Sequence, residues 1–589
     1  MFLASLSLVV DNRSFFSFFN ANRYDILQNL YEEDKKKTIL PLKVQILEEN
    51  AHKNKTDLLN QIKKLDDKKE YTKYYESLLS LLLSNCLDEG MFQQGLEKIN
   101  ERSVIRKKNG VYYTPEDVSS FILTNSLELA LNGTIHKLTT ESKFLSIISA
   151  NHSNQPLLKS KIIESTILDP TCGTGAFLVK AFDLKIDLLK KLYGFVDKTD
   201  VLDVVRSLHG NDIDSFSTYI TQTRLLFKAI TVSKDIDISK LLKILQNNFL
   251  NYDFVSDSQK INEKFDFIIG NPPYVEKTQM PVSTKARYGN IYADVIHNSL
   301  SLLKNDGVFG YIVPISYIST PRFSKLRAII QKNTSEEYVL SYADRPDCLF
   351  AGVHQKLNIL IARKNKDKMQ KHITYTSDYD YWYKAERSKL FDNVSFVKNN
   401  HITDTFYPKI GSTQESRIYE RILAQPYSIQ DKLSGDSKLY LNMRATFWIK
   451  SFISIPYKSK EYKELCFDSS TVHFINIVFN SSLFWWFWVK VSDCWHITQK
   501  ELSLFRIPQL SKDDCLQAKR LSIKINDALE STKERVNTKQ TLYEYKHKHC
   551  KEVIDELDNF LANLYNISAD DLEYIKSYKK SYRLGIGSS

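Results

Sequence analysis

The chain has 589 residues, 42% of them hydrophobic, which is enough for several ordinary cores and points to a multidomain soluble protein of three or four domains. Lysine and arginine total 81 against 70 aspartates and glutamates, a net charge of +11 that suits a polyanionic partner without requiring one. Seven cysteines without a CxxC pair or a Cys/His cluster argue against a zinc site and a disulfide framework, so no metal is expected and a reducing cytoplasm fits.

The apolar opening, Met1-Phe2-Leu3-Ala4-Ser5-Leu6-Ser7-Leu8-Val9-Val10, lacks a basic leader and meets Asp11 and Arg13, so it reads as a buried strand rather than a secretory signal. Residues 27–106 are charged and helical in pattern, with Leu78, Leu79, Leu81, Leu82 and Leu83 on one face; residues 1–106 are expected to form a helical lead-in domain. Glu33-Asp34-Lys35 is nominally a nuclease ExK, but it sits in a charged run and not on an apolar strand.

Across residues 107–365 short apolar runs alternate with helical stretches. The runs fall at 166–168, 207–209, 265–269, 307–313, 338–340 and 357–362. Such alternation predicts an α/β domain with a Rossmann-like, mainly parallel sheet, whose ligands sit at the carboxyl ends of the strands. Residues 366–510 are aromatic and basic and predict a separate α+β module. The run 474–489 is apolar, but Asn476, Asn480, Ser481 and Ser482 interrupt it, so no membrane span or membrane partner is expected. Residues 511–589 place Leu521, Ile525, Leu529, Val536, Leu542, Val553, Leu557 and Leu561 at helical intervals, predicting long helices.

Three motifs carry chemistry. Asp169-Pro170-Thr171-Cys172-Gly173-Thr174-Gly175 ends a strand in a glycine turn that opens a helix, letting the backbone approach a ligand closely. The phosphate-loop pattern and its lysine are absent. His209-Gly210-Asn211-Asp212 ends the next strand in an acid placed to accept both hydroxyls of a ribose. Ile269-Gly270-Asn271-Pro272-Pro273-Tyr274 follows a buried strand, and its two prolines fix φ and remove two N–H donors, leaving acceptors suited to an exocyclic NH2 group.

Together these segments resemble the N6-adenine DNA methyltransferases of restriction-modification systems, in the gamma arrangement of TaqI-like enzymes. The resemblance covers residues 109–364 and includes Gly110-Val111-Tyr112-Tyr113-Thr114-Pro115. It implies a class I methyltransferase sheet using S-adenosyl-L-methionine. Tyr113, Thr114, Pro115, Asp169, Thr171, Gly173 and Gly175 would lie along its methionine end, Asp212 would hold the ribose, and Asn248-Phe249 would meet its adenine. Asn271, Pro272, Pro273 and Tyr274 would be catalytic, with Asn271 also beside the cofactor and Phe350 packing on a flipped-out base.

The module at 366–510 would then be the target-recognition domain for duplex DNA. Its Lys409, Arg444, Lys450, Lys458 and Lys460 lie beside aromatics and are candidates for DNA contact, although most aromatics there, including those from Phe484 to Trp488, read as core. A separate cognate restriction endonuclease is a possible partner. The competing readings are a methyltransferase of RNA or of a protein glutamine amide, a bifunctional endonuclease-methylase, and a DNA-binding scaffold without activity.

Overall fold

In the computed structural model the described residues are 114–585, apart from 151–154, 234, 280–285, 351–352, 368–369, 458 and 537–541. The expected lead-in domain, Glu33-Asp34-Lys35, Tyr113 and Lys458 lie outside them. The described chain forms two compact units. One comprises Thr114, Ser149–Asp257 and Pro273–Val275, and the other Pro115–Ile148, Ser258–Pro272 and the chain from Glu276 onward.

The first unit carries strands β1 (Ile167–Asp169), β2 (Leu208–Asn211) and β3 (Phe249–Leu250), parallel and in the order β3-β2-β1. Helix Ala176–Tyr193 buries Phe177, Leu178, Phe182, Leu184, Leu188 and Leu189. Helix Lys198–Arg206 starts at an Asp197 capping box, in which Asp197 accepts from Asp200 N at 2.8 Å. The amino ends of β1 and β2 are joined by the buried Lys185, whose Nζ donates to Ser165 O at 2.6 Å and Ser207 Oγ at 2.7 Å.

The second unit holds β4 (Phe265–Gly270), β5 (Leu303–Pro314), β6 (Thr334–Tyr342), β7 (Leu357–Lys364), β8 (Ile373–Asp380) and β9 (Phe396–Lys398), in the order β4-β5-β7-β6-β8-β9. β4 and β5 are parallel, β6 and β8 are parallel, and β7 runs against both β5 and β6. The carboxyl ends of β4, β5, β6 and β8 therefore share one edge with the start of β7. β6 and β7 are buried along most of their length, which explains the unbroken apolar run Ile359-Leu360-Ile361-Ala362 in β7; β6 buries Ser335, Glu336 and Glu337 as well as Tyr338, Val339 and Leu340. Helix Glu116–Asn132 lies so close on β5 that a Cβ at Gly310 would come within 2.7 Å of Ile122 Cγ2 and Ser126 Oγ.

Each strand expected between residues 107 and 365 is present. Two expectations need correction. The sheet does not end near residue 365, because β8 and β9 extend it; their polar Thr374, Thr376, Ser377 and Asp378 hide the strand pattern. Val536 and Leu542 do not belong to a long helix; they flank a hairpin of Lys533–Arg535 and Tyr543–Tyr545 and are each 37% exposed.

The apolar run around Phe474 to Trp488 forms helices Val472–Phe479 and Ser482–Val491, bent by 69° and buried within the protein. Among the described residues no single helix is long and apolar enough to cross a membrane. Around these helices a fully buried Lys490 contacts Glu415 and lies 2.5 Å from Asp378. Asp378 also accepts from Tyr578 Oη at 2.6 Å and pairs with Lys579 at 3.1 Å, and Lys579 reaches Asp380 at 3.3 Å. One buried network thus joins β8, helix Thr413–Leu423, helix Ser482–Val491 and the residues after helix Ala569–Ser577.

Candidate active site

The carboxyl edge of the first unit gathers five of the expected cofactor residues, Asp169, Thr171, Gly173, Gly175 and Asp212. Beyond β1 the chain turns through Gly173 (φ 52°) and Gly175 (φ 87°), left-handed conformations that favour glycine. Gly175 also has no room for a side chain, since a Cβ would lie 2.6 Å from Thr221 Cγ2. A Cβ at Gly173 would meet nothing within 4 Å, so the turn faces open space on that side.

Asp212, at the end of β2, closes over this turn. One of its carboxylate oxygens accepts the N–H of Gly173 at 2.9 Å and the other accepts the N–H of Asp214 at 2.9 Å. Burial raises the Asp212 pKa above the ordinary carboxylate value, against the opposing effect of these N–H groups. Asp169 is deeper, 1% exposed, and accepts Thr171 N at 3.1 Å; burial raises its pKa well above the usual range, and the nearby Asp212 adds to the rise. Thr171 Oγ1 is buried and has no hydrogen-bond partner among the described residues.

An open glycine turn, an unsatisfied hydroxyl and an acid with spare lone pairs together fit the amino-acid end and ribose of S-adenosylmethionine. Thr114 is buried and Pro115 occupies the position before helix Glu116–Asn132.

Asn248 and Phe249 need correction. The Asn248 side-chain amide donates to the carbonyls of Arg206 and Leu208, each at 2.9 Å, so it caps the amino end of β2, opposite the edge that carries Asp212. Phe249 is 6% exposed and packs on Gly210, where a Cβ would come within 2.5 Å of its ring. The residues at the carboxyl end of β3 are Asn251, Tyr252 and Asp253; the Asn248-Phe249 pair stands five residues before Asp253-Phe254.

Two further residues were missed. Asn211 is buried and links all three strand ends. It donates to Pro170 O at 3.0 Å and Tyr252 O at 3.1 Å, and accepts Tyr252 N at 2.9 Å. Ile213, 76% exposed between Asp212 and Asp214, offers an apolar surface beside the Asp212 carboxylate. An isoleucine between two aspartates was a legible signal.

In the second unit, Asn271 and the buried Pro272 follow Gly270, whose β5 neighbour is Tyr311, so they stand at the carboxyl edge of β4. Pro273 and Tyr274 continue the loop and are half-buried. The chain just beyond is fastened by Glu276. It takes Arg322 in two hydrogen bonds of 2.8 and 2.9 Å and accepts Asn290 Nδ2 at 3.1 Å, while Lys277 N donates to Gly289 O at 2.9 Å. Burial would raise the Glu276 pKa, but Arg322 and Asn290 hold it below the ordinary value. Phe350 lies in the loop between β6 and β7, on the same edge, and is 2% exposed.

The proposed DNA-contact residues divide. Lys409 is 1% exposed, donates to Ser492 O at 2.6 Å, and is pushed down by burial to about 8, so it is a core residue and not a phosphate contact. Lys450 is half-buried with its pKa lowered by burial, which makes it a poor phosphate ligand. Arg444 and Lys460 are exposed. Among the described residues no cluster of His, Cys, Asp and Glu could hold a metal ion.

Comparison with known proteins agrees with this geometry. Residues 206–347 match the family model described as Eco57I restriction-modification methylase. The chain is 27% identical over 232 residues to the type II restriction enzyme and methyltransferase RM.Eco57I of Escherichia coli, covering 31% of this chain and 23% of that protein. It is 23% identical over 286 residues to the type II methyltransferase M.VspI of Vibrio sp. (strain 343), covering 46% of this chain and 53% of the relative. The matches thus take in between about a quarter and a half of these two relatives' length.

Among solved structures, the type IIL restriction-modification enzyme MmeI in complex with DNA superposes with a TM-score of 0.50 at 14% identity, over 88% of this chain and 84% of that one. The structural likeness is one of fold, mixed α/β, and the sequence likeness is to restriction-modification methylases.

Proposed function

We propose that this chain is a DNA methyltransferase of a restriction-modification system, transferring a methyl group to N6 of adenine in duplex DNA. The observation that carries this reading is the Asn271-Pro272-Pro273-Tyr274 loop at the carboxyl edge of β4, in a chain whose β1 turn and β2 acid suit S-adenosylmethionine. The named activities of RM.Eco57I and M.VspI support it, as does the DNA bound in the MmeI structure.

Bound S-adenosylmethionine would supply an electrophilic sulfonium methyl. Thr171, the Gly173 turn and Asp212 would hold and orient it. The amino nitrogen of adenine is a poor nucleophile because its lone pair is delocalised into the ring. The Asn271 side-chain oxygen and the Pro272 carbonyl accept its two hydrogens, so the nitrogen can pyramidalise. The same oxygens stabilise positive charge on nitrogen as the methyl arrives, and neither needs to act as a strong base. The proton leaves afterwards to solvent.

Reaching N6 requires the adenine to leave the helical stack, which costs a few kcal/mol. Stacking on Tyr274 offsets about 1–3 kcal/mol of this. Phe350, in the loop between β6 and β7, would pack against the base edge. Arg444 and Lys460 are the basic side chains we assign to phosphate contact, and a cytoplasmic location suits the chemistry.

The test is transfer of labelled methyl from S-adenosylmethionine to unmethylated plasmid DNA, followed by nucleoside analysis. N6-methyladenine is expected. Label in RNA or protein alone, or on cytosine, would overturn the reading. Because RM.Eco57I is named as both restriction enzyme and methyltransferase, the bifunctional reading is tested in the same preparation by magnesium-dependent cleavage of unmodified DNA. If no cleavage is seen, a separate endonuclease remains the expected partner.

A further inference from the structure

Trp495 stands apart from the other aromatics of the second unit. It is 47% exposed, whereas Trp382, Trp485, Trp486 and Trp488 are buried. Its loop is held in shape from within. Cys494 adopts φ 56° and its N–H donates to Ser492 Oγ at 2.9 Å, while Asp493 Oδ1 accepts Trp495 N at 2.9 Å and His496 N at 3.3 Å. The buried Lys409 fastens the base of the loop through Ser492 O.

The indole is also held from one face. Lys356 Nζ lies 4.0 Å from the ring centroid, close enough for a cation–π contact, and is itself 3.3 Å from the buried Asp344. The ring thus keeps nearly half its surface in solvent in an orientation that these contacts fix.

Lys356 directly precedes β7, whose Leu357 pairs with Pro314 at the end of β5 and Tyr342 at the end of β6; Lys356 O also accepts Ile315 N at 2.9 Å. Trp495 is therefore at the same carboxyl edge as Asn271 and Pro272, and β7 is two places from β4 in the sheet, a lateral separation of about 10 Å. The exposed Arg444 is joined by a backbone bridge to His496, the next residue after Trp495.

We infer that Trp495 is a base-stacking platform for the DNA substrate, taking a nucleobase other than the reacting adenine on its open face while Lys356 supports the opposite face. This rests on the duplex-DNA reading above. Stacking by an indole tolerates any base, so the residue would contribute affinity and orientation and not sequence choice.

The test uses the full chain and a pool of duplex fragments from unmethylated plasmid DNA. Trp495→Ala is expected to weaken DNA binding by about 5- to 100-fold and leave S-adenosylmethionine affinity, measured by calorimetry, unchanged. Trp495→Phe, which keeps a stacking ring, should restore most of the affinity. DNA should quench the tryptophan emission of the unaltered protein, and Trp495→Phe should lose that quenching. Wild-type DNA affinity in Trp495→Ala, in a protein that itself binds and methylates DNA, would overturn the inference alone. Failure of the unaltered protein to bind duplex DNA would overturn the duplex reading and this inference with it.

Discussion

The backbone N–H of Gly173 donates to the carboxylate of Asp212 at 2.9 Å, so the glycine turn after β1 is locked by the acid that ends β2. A residue assigned to the ribose thus also shapes the loop assigned to the methionine end. Asp212→Ala is expected to weaken S-adenosylmethionine binding by about 10- to 100-fold, the loss of one or two charge-assisted hydrogen bonds.

The same residue predicts a pH dependence. Ionised, Asp212 accepts hydrogen bonds at both oxygens; protonation turns one of them into a donor, and burial raises its pKa. Cofactor affinity should fall as pH is lowered through that raised value, at a higher pH than an ordinary aspartate would give. Calorimetric titrations across mildly acid to neutral pH should show this slope, and Asp212→Asn should be flatter and weaker throughout.

Asn211 offers a test that separates architecture from chemistry. Asn211→Leu would leave Pro170 O and both backbone groups of Tyr252 without their side-chain partner. A stability loss of about 2–4 kcal/mol is expected in urea melts, with weaker cofactor binding as a consequence. Undiminished stability would mean that water replaces the amide.

Asn271→Ala removes one of the two acceptors for the adenine amino group. Methyl transfer to DNA should fall by about 100- to 1,000-fold while cofactor and DNA binding stay near normal. Single-turnover assays with pre-bound DNA check this directly, and near-normal turnover would sink the proposed chemistry.

His372 and Glu337 form a buried pair at 3.3 Å in the second unit, and their titrations predict a stability profile. Burial would lower the His372 pKa, but the Glu337 carboxylate outweighs it and holds it above the ordinary 6.5. Burial would raise Glu337, but His372, Tyr317 and Thr374 hold it below 4.5. The histidine's contribution is full below its unfolded value and is lost as pH rises through its raised folded value. The glutamate's is full above its unfolded value and is lost as pH falls through its lowered one. The stability difference between the unaltered protein and His372→Gln should therefore peak between about pH 4.5 and 6.5 and shrink towards alkaline pH.

How much of this was legible in the sequence depended on what each residue type can hide. Strands β4, β5 and β7 announced themselves because buried strands carry apolar runs, whereas β1, β2 and β6 showed only one to three apolar residues in a row. β3 has two residues, too few for any periodicity, so nothing in the sequence tells that Asn248 and Phe249 stand at its amino end. Lys409 looked like a phosphate ligand because a lysine between Pro408 and Ile410 shows nothing of its Ser492 partner, 83 residues on. Gly173, Gly175 and Asp212 were readable because left-handed turns and strand-end acids depend on local sequence. Asn211 and Trp495 were not singled out, since their roles depend on contacts made only after folding.

The network around Lys490 has a practical meaning for anyone remodelling this chain. Tyr578 and Lys579 supply a hydroxyl and an ammonium to Asp378, and Lys579 also serves Asp380, so the last turns of the described chain are counter-ions for β8. Cutting before Tyr578 would leave Asp378 with Lys490 alone and take the Lys579 ammonium from Asp380, whereas an affinity tag joined after Gly585 leaves every one of those partners in place. A deletion series should thus show an abrupt loss of soluble protein between those two points.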